Sequence, residues 1–168
     1  TGFYKANEGE ILLDGNNVDN YDIEYLRNNI GFMTQHLILF DKTIMENILY
    51  GNNENLSEEY VENFIKENNI NIYSTVTEGL QKEVGPSGSN ISGGQKQMTL
   101  ILRLILSDKK ILILDEPTTA LDDKSFNTFL NLMKGIENRT IIIISHDSRF
   151  KQKDFSKVFK MENGKLIN

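Results

Sequence analysis

Apolar positions along this chain follow two alternating rhythms. Short continuous runs predict strands: Ile30-Gly31-Phe32-Met33-Thr34, Ile111-Leu112-Ile113-Leu114 and Thr140 to Ser145. The second and third read as parallel strands buried on both faces, because no polar residue interrupts them. Between these runs the spacing becomes helical. Asp22 to Asn29 carries Ile23 and Leu26; from Ser57, a plausible N-cap, Tyr60, Val61, Phe64 and Ile65 share a face; Gln95 to Leu106 repeats Met98, Leu102 and Ile105; Lys124 to Met133 turns Phe126, Phe129, Leu130 and Met133 inward. Gly9 to Gly15 predicts a short strand bounded by glycines, and Val158 to Leu166 a hairpin turning at Asn163-Gly164. Strands alternating with helices imply an α/β layered sheet with right-handed crossovers.

Composition narrows the class. The 168 residues make one domain with 39% apolar and 25% charged residues, and a net charge of -6 with acids and bases interspersed. No concentrated basic face is visible, so nucleic acid is not expected as a partner. With no cysteine, disulfides, thiolate metal sites and cysteine nucleophiles are excluded. No apolar run approaches the roughly 20 residues of a membrane span. The chain opens on Thr1-Gly2-Phe3-Tyr4-Lys5 and reads as part of a longer one.

Three polar clusters interrupt this frame where sheets of this kind bind ligands. Asp115-Glu116 follows the Ile111–Leu114 run, at the C-terminal end of a parallel strand. Asp115 can hold magnesium directly or through water, and Glu116 can polarise a water for attack on phosphorus; alternatively the two acids only cap a strand. Ser92-Gly93-Gly94-Gln95 opens a helix, where glycines and free amides suit a terminal phosphate, or a serine simply caps a flexible loop. His146 ends the third strand and can bond a phosphate or orient a base, against a purely structural role. Gln35, after its own strand, can reach metal or water, or is an ordinary loop residue. His36 has no evident partner and reads as solvated.

Their order is informative. Gln35, Ser92-Gly93-Gly94-Gln95, Asp115-Glu116, Ala120-Leu121-Asp122 and His146 resemble the Q-loop, signature, Walker B, D-loop and switch histidine of the ATP-binding-cassette (ABC) family, in family order. The resemblance implies a P-loop NTPase (RecA-like) parallel-sheet core, at residues 1–34 and 107–168, with an ABC helical subdomain holding the Q-loop and signature at 35–106. It implies ATP and Mg2+ as cofactors and a head-to-tail dimer, homo- or heteromeric, with a second ABC cassette. On it, Ser92, Gly93, Gly94 and Gln95 contact the γ-phosphate held by the partner and Asp122 crosses the interface. Asp115 serves the metal, Glu116 the attacking water and His146 the γ-phosphate, while Gln35 senses metal and links to the membrane domain. The family's phosphate loop and adenine-stacking aromatic precede the segment resembling Thr1 to Lys5, and no Gly-x-x-x-x-Gly-Lys-Ser/Thr occurs here. The chain alone is therefore expected to hydrolyse ATP no faster than background.

Leu39 to Gly51 and Thr77 to Gly85 are similar to exporter-type cassettes, whose membrane helices usually precede the cassette on the same polypeptide. This implies a motor for transmembrane export, membrane-associated at the cytoplasmic face. Two positions depart from the exporter pattern: Pro86-Ser87 stands where exporters usually carry Glu-Arg, and Asp147 where they often carry arginine. Competing readings are a soluble ABC ATPase on ribosomes or DNA, or a catalytically silent cassette that binds a partner. The compact segment between Gln35 and Ser92 lacks the long coiled coils of DNA-repair relatives.

Overall fold

The computed structural model describes residues 5–36, 38–52 and 56–167. Residues 1–4, which carry most of the N-terminal segment of the family resemblance, lie outside them. The elements in chain order are β1 Leu12–Leu13, β2 Asn16–Asn17, α1 Ile23–Asn29, β3 Ile30–Met33, α2 Ile44–Leu49, α3 Glu58–Glu67, α4 Gly93–Ile105, β4 Ile111–Asp115, α5 Asp123–Gly135, β5 Thr140–Ile144, β6 Lys160–Glu162 and β7 Lys165–Ile167. The glycine-bounded strand expected over 9–15 is instead a tight hairpin of β1 and β2. Its turn sits at Asp14-Gly15, both with positive φ. At the other end β6 and β7 pair antiparallel around Asn163-Gly164, with φ of 49° and 75° as a primed turn needs.

The central sheet is parallel, in the order β3-β4-β5, with Met33, Leu114 and Ile143 in register. Gly31, Met33, Leu112 and Leu114 point to the helical side. There α4 approaches so closely that a Cβ on Gly31 would overlap the Leu104 side chain. On the same side α5 sets Leu130 and Met133 beside Ile141 and Ile143. Burial on both faces, expected for β4 and β5, is not what the sheet has. Phe32, Ile142 and Ile144 on the opposite face are 45%, 46% and 51% exposed, because the helices packed on the sheet share one side and no described element covers the other.

One apolar core joins the sheet to the helices between Gln35 and Ser92, running from Met33 and Leu114 through Met98 and Leu102 to Met45, Ile48 and Val61. Tyr60 does not share that face as its spacing suggested; it is exposed and stacks on Phe64 at 6.4 Å. Helix starts are locally encoded. Thr43 and Glu46 form a capping box on α2, Ser57 caps α3 through the Tyr60 amide, and Asp122 caps α5 through the Ser125 amide. Fully buried Asn47 bonds both backbone groups of Phe40 and receives the Arg103 guanidinium at 2.8 Å.

Candidate functional site

The parallel register brings three chain segments to one sheet edge. Gln35, Glu116 and Ser145 each lie two residues beyond the aligned Met33, Leu114 and Ile143, and His146 follows. Glu116 takes a left-handed backbone, φ 52°, which a non-glycine residue adopts at a cost of about 1–2 kcal/mol. Its amide still donates to Ile144 O at 2.9 Å, extending the ladder by one bond. The carboxylate is thereby held against the end of β5. Oε1 accepts the His146 backbone N–H at 3.1 Å and meets Nδ1 at 2.7 Å, and Oε2 accepts the Ser145 hydroxyl at 3.2 Å. The Glu116 side chain is 13% exposed while His146 is 82% exposed, so a carboxylate sheltered by the fold carries an imidazole presented to solvent. The hydrogen bond to Glu116, reinforced by its charge, raises the imidazole pKa above the ordinary histidine value.

The carboxylate of Asp115, one residue earlier, takes no hydrogen-bond donor from the described residues. An oxygen ligand left open at a strand end fits one position of a magnesium shell, and Gln35 at the same edge could supply a second. No group of three acidic or histidine side chains among the described residues could hold a metal alone. Phosphate oxygens and water would have to complete the shell.

The Ser92 cluster sits on the other side of the loop 117–122. Ser92 is the N-cap of α4: its hydroxyl accepts the Gln95 amide at 3.2 Å, and Gln95 Oε1 returns the bond to Ser92 N at 3.0 Å. Gln95 is otherwise turned inward, its Nε2 donating to Ile72 O at 3.1 Å, so neither amide atom is presented outward. Gly93 and Gly94 pack against the loop of their own chain. A Cβ on Gly94 would stand 3.0 Å from Ala120 O, and one on Gly93 3.4 Å from the Ala120 Cβ. Asp122 caps α5, and it borders with Ser92, Asn71, Thr75 and Lys124 a polar cavity of about 310 Å³. The structure thus gathers Glu116 and His146 in direct contact and Ser92, Gly93, Gly94 and Asp122 around one cavity and loop. Gln35 shares only the sheet edge. His36 lines an apolar groove of about 360 Å³ with Ile38, Phe40 and Tyr50.

Sequence reasoning missed the residues that hold this arrangement together. Gln97, 1% exposed on α4, accepts the Ala120 amide at 2.7 Å and donates to Glu116 O at 2.9 Å. From the opposite side Arg149 donates to Leu121 O and Thr118 O, at 2.9 Å and 3.1 Å. A polar side chain on the buried arc of an apolar helix was the available signal for Gln97; Arg149 had none.

Known proteins are similar to this chain in sequence and fold. A family model for ABC transporters matches residues 1–119. An ATP-dependent lipid A-core flippase of Idiomarina loihiensis is 36% identical over 99% of this chain and 29% of its own length. The sophorolipid transporter of Starmerella bombicola is 38% identical over 98% of the chain and 13% of its own length. A bacterial Atm1-family ABC exporter solved with ATP bound superposes with a TM-score of 0.88 at 31% identity, over 99% of this chain and 30% of that one. The chain spans under a third of the length of these relatives. With the family model across most of its length, the chain belongs to the ABC transporter family.

Proposed function

We propose that this chain is the ATP-binding and ATP-hydrolysing motor domain of an exporter, acting within a longer polypeptide that carries the membrane helices. The observation that carries the reading is the sheltered Glu116 carboxylate, 2.7 Å from the solvent-facing His146 imidazole at the C-terminal edge of the parallel sheet. Glu116 orients and deprotonates the water that attacks the γ-phosphorus, and His146 donates to the phosphate oxygens as negative charge gathers there. When bound, magnesium would neutralise charge on the β- and γ-phosphates, and Asp115 with Gln35 would hold it. Ser92, Gly93 and Gly94 face the γ-phosphate of a second cassette, and the loop ending at Asp122 lies at that interface. The same reading keeps residues 35–106 as the Q-loop and helical subdomain of a RecA-like core at 1–34 and 107–168.

Among the described residues no helix is long and apolar enough to cross a membrane. The apolar groove of Ile38, Phe40 and Tyr50, beside Gln35, is the face we assign to contact with the membrane helices at the cytoplasmic side. Two of the relatives are named a lipid A-core flippase and a sophorolipid transporter. What this protein moves is decided by the membrane portion, not by the cassette. The test is Glu116→Gln in the full-length protein. ATP binding should persist while turnover falls by about 10²–10⁴-fold, the usual loss on removing a general base. Near-normal turnover in that variant would remove Glu116 from the role.

A further inference from the structure

We infer that Asp147 and Arg149 form a latch that positions Glu116 and His146 for ATP hydrolysis by tying the loop after His146 to the loop after Glu116. The inference rests on the motor reading above. The structure gives the Asp147 carboxylate a full set of partners. Its Oδ2 accepts the Thr118 hydroxyl at 2.7 Å and Arg149 Nη2 at 2.7 Å, and its Oδ1 accepts Arg149 N and Nε, each at 3.0 Å. The Asp147 amide donates to Ser145 Oγ at 3.1 Å, and the same hydroxyl donates to Glu116 Oε2 at 3.2 Å.

The result is a closed ring. From Glu116 the chain runs through Pro117 to Thr118, crosses to Asp147, returns to Ser145 and His146, and ends on the Glu116 carboxylate. Thr118 is fully buried and the Asp147 side chain is 13% exposed, so water competes poorly for these bonds. Arg149 closes the ring from outside. Its guanidinium reaches Leu121 O at 2.9 Å, Thr118 O at 3.1 Å and Asp123 at 3.2 Å, and lies 4.4 Å over the Phe126 ring. A planar fork satisfying two backbone carbonyls and two carboxylates at once is a geometric task for arginine, which the point charge of lysine does not reproduce. The bonds of Arg149 hold the Asp147 carboxyl well below the usual carboxylate range, so the acceptor stays charged throughout the working pH range. None of these groups touches the reacting atoms; Asp147, Thr118 and Arg149 are positioning residues. Their effect is to hold Glu116, already in a left-handed backbone, at one distance from His146.

The test measures ATP turnover and ATP affinity in the full-length protein for Thr118→Val, Thr118→Ser, Arg149→Lys and Glu116→Gln. Thr118→Val removes only the hydroxyl that Asp147 accepts, so the fold should survive. We expect kcat to fall by about 10–100-fold with KM for ATP unchanged, the scale of a small misplacement of catalytic groups. Thr118→Ser, which restores the hydroxyl, should return kcat close to that of the parent, and Arg149→Lys should behave like Thr118→Val. If Glu116→Gln abolishes turnover but Thr118→Val and Arg149→Lys leave kcat intact, the latch is wrong and the motor reading stands. The latch is equally overturned if Thr118→Ser and Thr118→Val lose kcat alike. Normal turnover in Glu116→Gln would overturn both inferences.

Discussion

Replacing Gln97 with leucine tests whether α4 holds the loop after Glu116, and the size of the effect can be worked from the structure. The side chain is 1% exposed and its amide spans Ala120 N at 2.7 Å, Glu116 O at 2.9 Å and Thr119 Oγ1 at 3.3 Å. Leucine has similar volume and no polar atom, so packing changes little. The Ala120 N–H loses its acceptor, at about 1–3 kcal/mol for an unsatisfied donor. Glu116 O keeps a long bond from Thr119 at 3.4 Å and loses less. Thr119 is exposed and its hydroxyl turns to water. The weakened bonding at Glu116 O adds about 1 kcal/mol and the added apolar burial returns about 1 kcal/mol, so the net loss is about 1–3 kcal/mol. For a chain of this size that lowers the urea midpoint by about 1 M. The local assay is sharper: hydrogen exchange of the Ala120 amide should accelerate in Gln97→Leu. Gln97→Glu should be worse despite its closer shape, because a buried carboxylate would then face the Glu116 carbonyl. An Ala120 amide that exchanges as slowly in Gln97→Leu as in the parent, with an unmoved midpoint, would refute the reasoning.

Asn47→Ala should destabilise the protein by about 3 kcal/mol in urea unfolding, because it strands the Phe40 N–H, leaves Phe40 O with the Lys42 amide alone and leaves the Arg103 guanidinium without its carboxamide. The His146 imidazole, followed by NMR titration, should release its proton above the ordinary value of about 6.5, and Glu116→Gln should lower that pKa. Since the folded pKa is raised, the pairing stabilises the fold fully below the ordinary histidine value and is lost as pH rises through the folded one. Ser92→Ala should cost about 1 kcal/mol through the lost cap. Ser92→Arg in the full-length protein should bind ATP yet fail to form ATP-dependent dimers by light scattering.

Much of this fold was legible because its elements are locally encoded. Ser57 caps α3 as its place at the start of the helical spacing implied, and Asn163-Gly164 turns its hairpin through positive φ at both residues. The strand ending at Asp115-Glu116 was readable from four apolar residues followed by two acids. What a continuous apolar run does not encode is how many of its faces are covered. Ile142 and Ile144 look as buried as Ile141 and Ile143 in sequence, yet only the latter pair meets α5. Tyr60 was misplaced for a related reason: its spacing suits the buried face of α3, but a neighbouring aromatic, Phe64, gives it a surface to stack on instead. The apolar arc of α4 is also wider than a simple stripe of Met98, Leu102 and Ile105. Gln95, Gln97, Thr99 and Ile101 are buried too, because the helix is enclosed by the sheet, α2 and the 71–73 turn. In such a helix a glutamine is a polar anchor rather than a surface residue.

Ser92 shows why two readings of one residue need not compete. As the cap of α4 its hydroxyl uses a lone pair, accepting the Gln95 amide at 3.2 Å, and its own amide is spent on Gln95 Oε1 at 3.0 Å. The hydroxyl proton remains available to donate. The amides of Gly93 and Gly94 belong to the first turn, where no intrahelical carbonyl can reach them, and neither glycine carries a side chain to cover them. The capping box therefore orients the donors that a terminal phosphate would take instead of consuming them. This separates the effects of substitution. Alanine removes the lone pair and the hydroxyl proton together, so it should weaken both the helix start and the phosphate contact. Threonine keeps both and adds only a methyl group. Arginine adds bulk on the open side, where a partner's nucleotide would have to approach. A stability loss in Ser92→Ala unaccompanied by any change in turnover would assign Ser92 to the cap alone.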